Sequence, residues 1–91
     1  MKLFKTADEK LSKIGFLKTI ENKCDVTYER RNEEFGYTQV LSILQKMNAE
    51  HIIQSYDKDL FDEEKIGNVC VGLTAYEMKL VLEKMKEMNW R

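Results

Sequence analysis

From residue 16 to residue 57 apolar and polar side chains tend to alternate in twos, and the breaks in that pattern are too short to do more than turn the chain back. Four segments, 16–21, 24–31, 37–46 and 51–56, are rich in β-branched and aromatic residues. They are separated by Glu21-Asn22-Lys23, by residues 32–36 and by Met47-Asn48-Ala49. A parallel crossover needs roughly a dozen residues, so connections this short predict neighbouring antiparallel strands. The third segment is the ambiguous one, because LSILQKM also reads as helical.

Helical signals flank the strands on both sides. Thr6-Ala7-Asp8-Glu9 has the spacing of a capping box, Ala7, Leu11 and Ile14 recur at four and three, and Gly15 can end a helix in a left-handed conformation. The second signal, Thr74-Ala75-Tyr76-Glu77, opens a longer helix to Met88, with Met78, Val81, Leu82, Met85 and Met88 as its apolar stripe. The expected fold is therefore α+β: helix, four-stranded antiparallel meander, C-terminal helix, with both helices on one face of the sheet. A chain of 91 residues fits one such domain over residues 1–91.

Composition removes several classes of function. Fifteen basic against sixteen acidic residues leave a net charge of -1, so no global field draws the molecule to nucleic acid or to an anionic membrane. The first ten residues meet acidic groups and lack the apolar core of a signal peptide, and no apolar run approaches membrane-spanning length. Cys24 and Cys70 have no paired spacing, so free thiols in a cytoplasmic setting are the expectation.

Motifs that promise chemistry fail on mechanics. GNVCVGLT, residues 67–74, carries the glycine spacing of a phosphate-binding loop, but Leu73 stands where the lysine must reach the terminal phosphates. Its glycine, threonine and leucine are better read as the entry to a capped helix. The Asp-x-Asp at 57–59 begins like a calcium loop, yet Phe61 and Asp62 occupy the positions that need an oxygen ligand and a glycine. Residues 57–73 then read as an acidic surface loop. His51, Cys24 and Cys70 are three isolated candidates where a closed zinc site wants four, and a thiol enzyme would need one cysteine beside the imidazole. No cofactor and no enzymatic activity are expected.

Two surfaces remain as candidates. Tyr28, Arg30 and Arg31 lie in YERRNEEF and could stack bases and hold phosphates, although Glu29, Glu33 and Glu34 oppose them. The second candidate follows from the strands themselves. A sheet covered on one face should alternate apolar with polar, but Val40, Leu41, Ile43 and Leu44, and likewise Ile52, Ile53 and Tyr56, put apolar groups on both faces. Two helices cannot cover both sides, so Val40, Leu44, Ile52 and Tyr56 need the 57–73 loop, a second copy or another protein over them.

ADEKLSKIGF, CDVTYERR, HIIQSYDKD and GLTAYEMKLVLEKMKEMNW together resemble a group of small uncharacterised proteins from phages, prophages and Firmicutes genomes. The resemblance implies a bacterial or phage-infected cytoplasm and carries no activity or functional residues with it. The expected function is a non-catalytic protein-interaction or accessory module, with a homodimer through the sheet as one form. Single-stranded nucleic-acid binding through Tyr28, Arg30 and Arg31 is the alternative.

Overall fold

The computed structural model describes residues 6–46, 50–59 and 70–90. They form α1 (Ala7–Lys13), β1 (Leu17–Glu21), β2 (Asp25–Asn32), β3 (Tyr37–Gln45), β4 (His51–Asp57) and α2 (Ala75–Glu87). The strands make one antiparallel sheet in the order β1-β2-β3-β4, the meander that the short connections require. LSILQ is strand rather than helix because β3 is central: it pairs with β2 through Asp25↔Leu44 to Asn32↔Tyr37 and with β4 through Gln39↔Asp57 to Gln45↔His51.

Both helices start at threonine caps. Thr6 Oγ1 accepts the Glu9 amide at 3.2 Å, and Thr74 Oγ1 accepts the Glu77 amide at 3.0 Å while Glu77 Oε1 accepts the Thr74 amide at 2.9 Å. Gly15, at φ +97°, turns the chain out of α1 as expected. It has a second role: a Cβ there would lie 3.2 Å from Cδ of Arg30, so the position needs the missing side chain as well as the left-handed backbone.

The core lies between the helices and one face of the sheet. Register puts Tyr28, Leu41 and Ser55 in one cross-strand row and Val26, Ile43 and Ile53 in the next, all on the helix side. Val26, Tyr28, Leu41 and Ile43 close there against Leu11, Phe16, Leu80 and Val81, with Ile14, Leu73, Met85, Met88 and Trp90 packed around them. Leu73, the residue in place of a phosphate-loop lysine, is thus a hydrophobic anchor at the entry to α2.

The stripe on α2 differs from its expected form. Val81, Met85 and Met88 reach the core, but Leu82 is 53% exposed and Met78 only half-buried. The buried face runs instead through Glu77, Leu80, Val81 and Lys84. Two charged residues hold buried positions because each has a partner across the interface, and this rotates the helix away from the orientation that hydrophobicity alone prefers.

Candidate interaction surface

The face of the sheet turned away from the helices is built from three cross-strand rows. Leu17, Glu29, Val40 and Tyr56 form the first; Ile20, Thr27, Ser42 and Gln54 the second; Asp25, Leu44 and Ile52 the third. The four residues expected to need a cover, Val40, Leu44, Ile52 and Tyr56, therefore share this face and pair directly as Val40↔Tyr56 and Leu44↔Ile52. On β1 the apolar character continues in Leu17 and Ile20, which are 63% and 43% exposed.

Small hydroxyl residues in the middle row make the face concave. A groove of about 340 Å³ runs over Thr27, Val40 and Ser42, with Ile20, Leu44 and Tyr56 as walls and Asp25, Glu29 and Lys58 at its rim. The floor is closed, Val40 being 4% exposed, and its polar atoms are satisfied internally. Thr27 Oγ1 donates to Asp25 Oδ1 at 2.7 Å and lies 3.1 Å from Ser42 Oγ. At the rim, Lys58 Nζ stands 3.5 Å from Glu29 Oε1, a half-exposed contact that does little to neutralise the carboxylate.

The two edges of the sheet differ. Beside β4, Cys70 forms one antiparallel bridge with Tyr56, and the Val71 amide donates to Ser55 O at 2.9 Å. Among the described residues this is an edge contact and not a fifth strand; Gly67, Asn68 and Val69 lie outside them, as does most of the expected acidic loop. At the other edge β1 is exposed along its whole length, but its register slips between Lys18 and Ile20. A bulge of this kind breaks the regular ladder that an added strand would need.

The residues of the nucleic-acid alternative are not gathered into one surface. Tyr28 is 1% exposed, and its hydroxyl donates to Asp8 Oδ1 at 2.5 Å beneath α1. Arg30, on the same inner face, lies 4.1 Å over the Phe16 ring and bonds Glu77 Oε2 and Gln39 Oε1, each at 2.9 Å. Arg31 is one residue further along the strand and so projects from the opposite face, 3.8 Å from Asp59. The tyrosine and the first arginine hold the helices on the sheet.

A second constellation escaped the sequence reading. Asp8, Lys18, Glu21 and Lys84 form a closed square of charges: Lys18 reaches Asp8 at 2.7 Å and Glu21 at 2.9 Å, and Lys84 reaches the same two at 3.2 and 2.8 Å. The Lys84 side chain is only 7% exposed. Burial raises the Asp8 pKa, but the bonds from Lys18, Tyr28 and Lys84 outweigh it and hold the carboxyl below its ordinary range. Bonds from Lys84 and Lys18 likewise lower Glu21, and those to Asp8 and Glu21 raise Lys18. Burial, then the Asp8 contact, push the Tyr28 hydroxyl well above its ordinary value. With two ammonium groups matched to two carboxylates, the square is a clamp joining α1, β1 and α2 rather than a poised acid or base.

The remaining candidates stand apart. Neither Cys24 nor Cys70 forms a disulfide and both are exposed, Cys24 in the turn between β1 and β2 and Cys70 beside β4. His51 opens β4 and stacks on Trp90 with ring centroids 5.2 Å apart. Cys24 O accepts the Gln45 amide, and His51 pairs with Gln45 from the other side, so two strand spacings of about 4.8 Å separate Cys24 from the histidine. That is too far for a thiol and its base. Among the described residues no group of three or more His, Cys, Asp or Glu could hold a metal ion, and no helix is long and apolar enough to cross a membrane. Comparison with family models, with curated proteins and with solved structures finds no match for this chain.

Proposed function

We propose that this protein is a non-catalytic interaction module that docks a partner on the face of the sheet opposite its helices. One observation carries the reading: Val40, Leu44, Ile52 and Tyr56 meet on that face in two register pairs, and Leu17 and Ile20 extend the apolar surface to the open edge. Fully burying a side chain of this size contributes about 1.5 to 3 kcal/mol, so completing the cover over even the half-exposed members is a substantial driving force. The inner face, by contrast, has its charged groups matched to one another and is occupied by the two helices.

The test is affinity purification from the native cells with surface variants that do not touch the core. Leu44→Glu places a charge in the groove, and Leu82→Glu places the same charge on the exposed side of α2. A partner held by the wild type and by Leu82→Glu but lost from Leu44→Glu, with unfolding temperatures unchanged, supports the reading. A bound set that Leu44→Glu leaves unaltered removes it.

A further inference from the structure

We infer that the occupant of this face is a second copy of the chain, related to the first by a two-fold axis that runs along the strands between β3 and β4; the inference rests on the interaction reading above. Two copies packed face to face share an axis lying in the interface, and every contact then occurs twice. With the axis between β3 and β4, each residue of one strand stands opposite its own register partner in the other copy. Val40 of each copy faces Tyr56 of the other, Ser42 faces Gln54 and Leu44 faces Ile52.

These pairs are complementary in size and polarity. In the first two rows β3 carries the small side chain and β4 the large one, so Tyr56 and Gln54 descend on Val40 and Ser42, the floor of the groove. Gln54 is exposed in the single chain, and the dimer brings it to the Ser42 hydroxyl, whose other contact is with Thr27 at 3.1 Å. The third row sets two aliphatic side chains together. Past it the register continues to Lys46, whose amide donates to Glu50 O at 2.8 Å, and the same axis sets this lysine opposite the glutamate of the other copy.

Other axes lack this match. An axis across the strands through the middle row sets Glu29 over Asp25 of the other copy, and one along the strands between β2 and β3 presses both carboxylates onto Val40 and Leu44. With the axis between β3 and β4, strand β2 lies over the margin beside β4, where Cys70 bridges Tyr56, and the charges of Asp25, Glu29 and Arg31 stay at the rim. Strand β1 overhangs the second copy. The overlap is therefore about three strand spacings of about 4.8 Å by about 20 Å, a footprint of about 300 Å² per copy. A standard interface takes roughly 800 Å² per partner, so this dimer exchanges with monomer and is half formed at about ten to a few hundred micromolar.

Sedimentation equilibrium of the full chain from about 5 micromolar to about 1 millimolar tests this. The average mass is expected to rise toward twice that of the monomer. Leu44→Glu and Gln54→Arg are each expected to weaken association at least about tenfold, and Leu82→Glu, on the exposed side of α2, to leave it unchanged. Mixing reads the register: Leu44→Lys and Ile52→Glu are expected to associate with each other at least about tenfold more tightly than either does with itself, since of the three axes only this one sets 44 opposite 52. Unfolding temperatures check that each variant is folded, and Gln54→Arg, at an exposed position, tests the same face without touching packed groups. A wild-type chain that stays monomeric across the range overturns the inference, and the Leu44→Glu purification then decides the interaction reading separately. A dimer that Leu44→Glu and Gln54→Arg leave intact overturns it in favour of another surface. A dimer lost from both variants but not restored by the mixture overturns the axis, and the inference with it, while leaving the interaction reading standing.

Discussion

Replacing Lys84 by methionine keeps the length and most of the volume of the side chain and deletes one corner of the charge square. Removing one partner of a fully buried ion pair costs about 3 to 5 kcal/mol, because the other charge is left without compensation. Here the loss is smaller. The Asp8 and Glu21 side chains are 29% and 41% exposed and keep Lys18 at 2.7 and 2.9 Å, so water and the remaining ammonium make up part of the missing contact. About 2 kcal/mol is the expected cost, equivalent to a fall of roughly 8 to 16 °C in Tm for a chain of this size. Urea denaturation of wild type, Lys84→Met, Asp8→Asn and the double variant measures it directly. The coupling between the two sites should be about 1 kcal/mol at pH 7 and should shrink as the carboxylates are protonated. A Lys84→Met protein as stable as wild type, or a coupling indistinguishable from zero, refutes the claim that the square ties the helices to the sheet.

Stability against pH should be a plateau with two falling limbs. Asp8 and Glu21 are lowered from 3.8 and 4.5, so their contribution is present above those values and is lost as pH falls through the folded-state pKa values; Lys18 and Tyr28 are raised from 10.5 and 10.0, so theirs is present below those values and lost as pH rises past them. Lys84→Met should flatten the acid limb, measured as the midpoint of urea unfolding across pH 3 to 6 at intervals of roughly half a unit. His51→Phe should stabilise by about 1 kcal/mol, since Nε2 is buried with no hydrogen-bond partner among the described residues and a phenyl ring retains the stacking on Trp90; an unchanged or lower Tm contradicts this. Gly15→Ala should destabilise by more than about 1 kcal/mol, from the left-handed backbone and the contact with Arg30 together, and Arg30→Ala should relieve the steric part when the two are combined.

Local rules made the framework readable. Turn lengths determined the meander, the two threonine caps located both helix starts, and two-sided apolar patterning in β3 and β4 pointed to a second apolar face of the sheet. What escaped were long-range charge pairings. Glu77 and Lys84 look like solvent-facing residues in any helical pattern, and only their contacts with Arg30, Asp8 and Glu21 make burial favourable. Arg30 and Tyr28 illustrate the same limit from the other side: an arginine beside an aromatic residue suggests a nucleic-acid surface, and only the register of β2 shows that both point beneath the helices. A faint signal was present, because Tyr28 and Arg30 share the parity of Val26, the strand's one aliphatic residue, and therefore its inward face.

The central claim is that the outer face of the sheet is the docking surface, and site-specific photo-crosslinking in the native cell tests it most directly. Gln54 sits exposed in the middle row of that face, whereas Lys79 sits exposed on α2. A photoreactive residue at position 54 should give a discrete adduct that disappears with Leu44→Glu, while the same residue at position 79 should give none. Adducts from position 79 alone, or no adduct from position 54, would contradict the account.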